Sequence, residues 1–283
     1  MKKLFIFALS FMLLAIWIGS SSAVTIKGKK TDAVITIETD MYKLEWKTAK
    51  QAGYISAWVK KGNNELLLFE GAATGRRFYH SSNYSGWKDW GNLDDFEIIE
   101  NKAGVAKVEF IMTDGLSKDY ICTATFWDGH PLIRHEVKIK AKANVTSWQH
   151  GHEPMYEVRS PVKGSQKWDA GGGLFGHVGF WTSDAFSALY ATEAAAIARN
   201  HPGWQADGRV DLQHDALGKV VNKGDTSDPL VYWVGFGVGR DKELHALAET
   251  VADVGTGDLK PQAVKARGKA STTWAAIKQV NLQ

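Results

Sequence analysis

Two histidines one residue apart, His150 and His152, stand in the run Trp148-Gln149-His150-Gly151-His152-Glu153-Pro154-Met155-Tyr156-Glu157-Val158-Arg159. Residues i and i+2 of an extended strand share a side, so this spacing offers two imidazoles together. Imidazole is the side chain best suited to moving protons near neutral pH. Tyr156 and Arg159 add a phenol and a guanidinium, which makes His150, His152, Tyr156 and Arg159 the candidate catalytic group. Two such histidines could also hold a metal, but a third ligand such as Glu153 falls on the other side of a strand and the pattern is not the helical HExxH. No metal site is assigned.

Three further runs mix aromatic, basic and imidazole side chains. The first, Gly75 to Trp90, carries Arg76, Arg77, Tyr79, His80, Trp87 and Trp90 without apolar periodicity and reads as a long surface loop, a place where function concentrates. Indole and phenol faces stack on the C–H faces of sugar rings, while Arg and Asn donate to hydroxyls or carboxylates. The alternative is a loop packed over the fold by its own aromatics. The second, Gly171 to Trp181, is glycine-rich but has neither the Lys-Ser/Thr nor the following helix of a phosphate loop, which leaves a turn between strands with His177 and Trp181 beside it. The third, Asn200 to Gln205, offers His201 and Trp204, with Asp211 to Asp215 following. Arg76, Arg77, Tyr79, His80, Trp87, Trp90, His177, Trp181, His201 and Trp204 are therefore the candidate substrate-binding residues.

The elements that must position these groups read as strands almost throughout. Val34 to Thr39 and Tyr42 to Lys47 alternate. Tyr54 to Val59 and Glu65 to Phe69 flank the turn Lys61-Gly62-Asn63-Asn64, and Phe96 to Glu100 and Ala106 to Met112 flank Asn101-Lys102-Ala103-Gly104. Tyr120 to Trp127 and Leu132 to Lys140 flank Asp128-Gly129-His130-Pro131, with Ile133, His135, Val137 and Ile139 on one face and Arg134, Glu136, Lys138 and Lys140 on the other. Ala185 to Arg199 is alanine-rich yet alternates, and reads as two strands of a sheet. Lys242 to Val251 has the spacing of a short amphipathic helix. Strands at short, regular spacing specify an all-β antiparallel sandwich with that helix near its C-terminus.

Composition narrows the setting. Lys2-Lys3, the apolar run Leu4 to Ile18 and the small residues up to Ala23 form a signal peptide over residues 1–23, an uncleaved anchor being the alternative. The expectation is export to the periplasm or beyond, with no membrane attachment after cleavage, a β domain over 24–255 and a polar tail over 256–283. The whole chain has a formal net charge of +3, and two of its lysines leave with the leader, so no basic face points to nucleic acid. The single cysteine, Cys122, excludes an internal disulfide and any CxxC motif. Twelve tryptophans are an excess for a soluble chain, and fit a carbohydrate partner. The pattern requires no cofactor and specifies no oligomeric state. The sequons Asn83-Tyr84-Ser85 and Asn144-Val145-Thr146 matter only in a eukaryotic secretory pathway.

The strand pair Val34 to Trp46, the following Ala52 to Trp58, the hairpin Phe126 to Val137, and Lys223-Gly224-Asp225 ahead of Leu230 to Val238 together resemble the galactose-mutarotase-like supersandwich, over most of residues 30–240. The resemblance is one of strand pattern and turn placement. It implies an antiparallel β-supersandwich, a fold that hosts aldose epimerases, polysaccharide lyases, glycosidase accessory domains and pure binders. Its enzymes use histidines and a carboxylate around the sugar, and Gln149 to Tyr156 occupies roughly the chain position of such a histidine. Two functional classes follow. A poly- or oligosaccharide binder would line a groove with Trp87, Trp90, Trp148, Trp181 and Trp204. A polysaccharide lyase acting on uronic-acid glycans, or an epimerase, would need His150, His152 or a tyrosine as proton-transfer group beside Arg76, Arg77 or Arg159. A structural interaction protein, third, would bury those tryptophans.

Overall fold

The structure, a computed structural model, describes residues 24–49, 52–70, 77–85, 88–89, 91–157, 165–169, 177–181, 184–192, 196–200, 209–214 and 218–260. They lie in a compact unit bounded by Ala23 and Leu259, apart from Lys260, and the leader read over residues 1–23 is outside them.

Alternation of apolar residues puts two antiparallel sheets face to face. Strands are numbered in chain order. The larger sheet runs β1 (Thr25–Lys27), β2 (Val34–Glu38), β3 (Tyr42–Lys47), β4 (Gly53–Lys61), β6 (Arg77–Tyr84), β12 (Val145–Glu157), β17 (Arg209–His214) and β16 (Ala196–Asn200). Outside that path β5 (Asn64–Glu70) pairs with β4, β7 (Lys88–Asp89) with β6, and β18 (Val220–Val221) with β12. The smaller sheet runs β13 (Ser165–Asp169), β14 (His177–Trp181), β15 (Ala185–Ala191), β19 (Leu230–Val238), β11 (Leu132–Ala141), β10 (Lys118–Trp127), β9 (Val105–Thr113) and β8 (Asn92–Lys102).

The all-β antiparallel expectation is met, down to individual hairpins: Lys61 pairs with Asn64 across the Gly62-Asn63 turn, and Phe126 with Ile133 across the β10–β11 turn. Within Ala185 to Arg199 two strands form, as the alternation indicates, but they join different sheets, β15 the smaller and β16 the larger. Alternation fixes which side chains share a face and leaves the pairing partner open.

Every second residue of β2, β3, β9 and β10 enters the space between the sheets. Trp46 stacks on Phe110 with ring centroids 4.0 Å apart and meets Tyr54 edge-on at 4.8 Å. Cys122, Ala124 and Phe126 complete the same layer, with no accessible surface left. Burial of each large apolar side chain here contributes about 1.5–3 kcal/mol. Cys122 is a free thiol that burial pushes up, so it is inert packing.

The smaller sheet is also covered on its outer side. Helix α1 (Asp241–Val254) opens where the Arg240 amide donates to Glu243 at 2.8 Å and closes at Gly255, which takes the left-handed φ of 58°. Leu244, Ala248 and Val251 lie at i, i+4 and i+7 and pack on Trp127, Leu132, Phe186, Tyr190 and Trp233. Arg134, on the polar side of β11, is buried all the same: its Nε donates to the Thr256 carbonyl at 2.9 Å. The indole of Trp233 donates to Gly255 O at 3.0 Å, and Leu259 joins the same apolar cluster. Residues 256–259, polar enough to read as the start of a tail, are thus laid along the sheet. No helix among the described residues is long and apolar enough to cross a membrane.

Two glycines of β19 make room on this outer face. Phe186 stands opposite Gly237, and a Cβ built there would lie 2.5 Å from Phe186 Cζ. Gly237→Val should therefore displace the ring and lower stability by about 1–3 kcal/mol, read as a fall in the urea midpoint with the far-ultraviolet strand signal retained.

Candidate functional site

Most of the candidate residues that the structure describes fall on β6 and β12, which are neighbours, with β17 on the far side of β12; His177 and Trp181 fall on β14 of the smaller sheet. Glu153 pairs with Ser81, Met155 with Tyr79 on one side and with Asp211 on the other. The described side chains of β6, those of β12 from Gly151 to Tyr156 and those of β17 from Asp211 to His214 are buried on both faces, which is why no apolar alternation marks them. The run Gly75 to Trp90, expected as a surface loop, contains strand β6 for this reason: Phe78, His80, Ser82 and Tyr84 face the smaller sheet, while Tyr79 and Asn83 face away, and all six are buried.

The inward face carries a seam of imidazoles and phenols across the sandwich. Tyr54 Oη lies 2.9 Å from His135 Nε2, and the His135 ring stacks on Tyr232 at 4.9 Å and 6°. Tyr232 is 5.9 Å from His80, whose Nε2 lies 3.1 Å from His152 Nδ1. His214 of β17 follows, 6.1 Å from His152. Ser82 Oγ shares a hydrogen bond with Tyr120 Oη at 3.2 Å. Tyr156 is stacked on Phe78 at 5.1 Å, within the apolar core. The buried ammonium of Lys118 donates to the Tyr84 carbonyl and lies 3.7 Å from the equally buried Asp114.

The imidazoles of His80, His135 and His152 are held neutral. Burial lowers His135 to about 3. Burial, then the neighbouring His214, lowers His152 to about 3. His80 is driven well below its ordinary range by burial first and by the other histidines after it. Burial raises Tyr54 and Tyr232 well above the ordinary phenol. The seam is a set of neutral donors and acceptors, and among the described residues no group of three or more His, Cys, Asp or Glu is placed to hold a metal ion.

The outward face of the same strands is polar and equally dry. It brings together Tyr79 and Asn83 from β6, Glu153 and Met155 from β12, and Asp211 and Gln213 from β17. Gln213 Nε2 approaches Glu153 Oε1 at 3.5 Å. Asn83 has no accessible surface, and neither its Nδ2 nor its Oδ1 finds a hydrogen-bond partner among the described residues; Gln213 Oε1 is in the same state. Buried amides are nearly always bonded, and an unused pair of donor and acceptor needs a reason. Of the candidates, His80, His152 and Tyr156 come together on the inner face and Tyr79 stands on the outer one. Arg77, His150, His177 and Trp181 belong to β6, β12 and β14 by backbone. Arg76, Trp87, Trp90, Arg159, His201 and Trp204 lie outside the described residues. Asn83, Glu153, Asp211 and Gln213 share the outer face without standing among the candidates. The signal available for them was position: each precedes or follows an inward-facing residue by one on a strand that alternates.

No family model matches the chain, and no curated protein matches it in sequence. Among solved structures, the galactosidase domain of α-galactosidase-sucrose kinase, AgaSK, is similar over 76% of this chain and 42% of that one, at 8% identity and a TM-score of 0.51. An active YidC insertase structure is matched over 90% of this chain and 50% of that one, at 10% identity and a TM-score of 0.49. Heparan sulfate lyase HepC from Pedobacter heparinus is matched over 79% and 36%, at 7% identity and a TM-score of 0.44. The chain spans half or less of the length of each. The likeness to the galactosidase domain is one of fold: an antiparallel β-sandwich of the kind that carbohydrate-active enzymes contain.

The buried histidines make stability depend on pH. Their protonation constants are depressed on folding, from 6.5 to about 3 for His152, so below 6.5 the unfolded chain binds more protons than the folded one. Stability is complete above that value and is lost as pH falls through the window towards 3. A series of urea midpoints should slope upwards with pH between about 5 and 6.5, above the carboxylate range. A flat series there would mean that the imidazoles are protonated inside the fold.

Proposed function

We propose that this chain is an exported carbohydrate-binding protein that takes a poly- or oligosaccharide on the outer face of β6, β12 and β17, a face closed in this structure that must open to admit it. The observation that carries the reading is the buried, unsatisfied amide of Asn83 on the same face as the Gln213–Glu153 contact. A sugar hydroxyl donates and accepts at once. An amide and a carboxylate on neighbouring strands match a pair of adjacent hydroxyls, and a stable face of this kind needs no cofactor. Tyr79 adds a ring for the apolar face of a pyranose. The fold shared with a galactosidase domain supports the reading, as do the leader, the tryptophan excess and the resemblance to the galactose-mutarotase-like supersandwich.

Binding is preferred to lyase or epimerase chemistry. A proton-transfer group must reach the sugar, whereas His80, His152 and Tyr156 face the smaller sheet and the two histidines are held neutral.

Asn83→Ala and Gln213→Ala should each weaken glycan binding by about tenfold, the worth of a hydrogen bond in a dry site, when the mature chain is titrated with neutral and acidic glycans by calorimetry. No unsaturated uronate and no new reducing ends should form. Binding that both substitutions leave intact would move the site elsewhere, and turnover lost on His152→Ala would replace a binder with an enzyme.

A further inference from the structure

The ladder between β12 and β6 is interrupted once and lacks a backbone donor a short distance further on. Ser147 pairs with Tyr84, and pairing resumes only at His152 with Ser82, so residues 148–151 of β12 stand against Asn83 alone. Two residues past the restart, Pro154 lies opposite His80 and brings no N–H to a strand that has a neighbour on each side. Register in a sheet is otherwise held by the hydrophobic pattern, and here that constraint is weak, since both faces are buried and both are rich in polar groups. A slip of one residue would exchange His152 for Glu153 and turn a carboxylate into the core.

Between the two defects runs one side-chain bond, His80 Nε2 to His152 Nδ1 at 3.1 Å. Both rings are buried, at 0% and 1% exposure. They are packed by Tyr120, 6.2 Å from His80, and by Tyr84 and His214, 5.8 and 6.1 Å from His152. We infer that this imidazole pair is the tie that sets β12 in register on β6, and that His80 and His152 are positioning residues for Asn83, Glu153 and Gln213 on the opposite face. The bond needs one donor and one acceptor, which two neutral rings supply. In a dry interior it is strong, and losing one partner strands the other. Its bearing on sugar binding rests on the function proposed above; its bearing on register does not.

The test follows the side-chain amide signals of Asn83 and Gln213 by nuclear magnetic resonance in the whole mature chain, with glycan affinity measured beside it. His152→Leu removes the bond. His152→Asn restores an amide near the Nδ1 position and His80→Gln near Nε2, while His80→Asn is too short to reach. The leucine and His80→Asn variants should shift both amide signals and weaken the glycan by about tenfold, and His152→Asn and His80→Gln should stay near wild type in both readouts. Should His152→Leu fail to fold, the His80→Gln and His80→Asn pair decides alone. Equal behaviour of Gln and Asn at position 80, or amide signals unmoved by loss of the bond, would overturn the inference. Amide signals that respond as expected in a chain that retains no glycan would uphold the register tie and remove the sugar reading instead.

Discussion

A strand buried on both faces has no solvent side to which a polar residue can turn, and β12 is such a strand from Gly151 to Tyr156. Everything placed on it must be satisfied by a neighbour or by a ligand, because a polar group left unbonded in a dry setting costs roughly 1–3 kcal/mol. The sequence of β12 answers with two different chemistries. Inward, His152 and Tyr156 join rings from both sheets. Outward, Glu153 meets Gln213 of β17. The strands beside it inherit the same constraint, and β6 shows it in the alternation of His80 and Ser82 with Tyr79 and Asn83.

The space between the sheets is correspondingly divided. Near β2, β3 and β9 it is an ordinary apolar interior, dominated by Trp46 on Phe110. Towards β6, β12 and β19 it becomes a mixed seam, in which Tyr54, His135, Tyr232, His80 and His152 follow one another by hydrogen bonds and ring contacts. Such a seam holds only while its imidazoles are neutral, because a single charge there would have to be desolvated at several kcal/mol. Apolar packing sets how firmly the sandwich closes; the seam sets how its middle strands align.

The elements that were legible in the sequence are those with one wet face. In β11, Ile133, His135, Val137 and Ile139 alternate with Arg134, Glu136, Lys138 and Lys140, and the strand is where that pattern puts it. Helix α1 has the same kind of legibility, with an apolar stripe and a polar side. The strand β6 was invisible because Phe78 through Tyr84 offers no face that water would select. The polar residues that β6 and β12 bring together are visible in the sequence as a concentration of histidines and aromatics around positions 75–90 and 148–159. Which of them share a face depends on the interruption between Ser147 and His152, and residue type alone does not encode a bulge.

The position of Asn83 also bears on where the chain can be made. Asn83-Tyr84-Ser85 is an acceptor sequon, yet in the folded protein this asparagine has no accessible surface and belongs to a strand enclosed by β4, β7 and β12. Oligosaccharyl transfer in a eukaryotic secretory pathway acts on the chain as it emerges, before β6 has found its partners. A glycan added at that moment would be fixed to a side chain that has no accessible surface once β6 is paired, so secretion from such a host selects for chains that escaped modification or failed to close. The exposed Asn144, in the turn before β12, imposes no such conflict. A bacterial host leaves both asparagines bare, and the sandwich can close on Asn83 as it is.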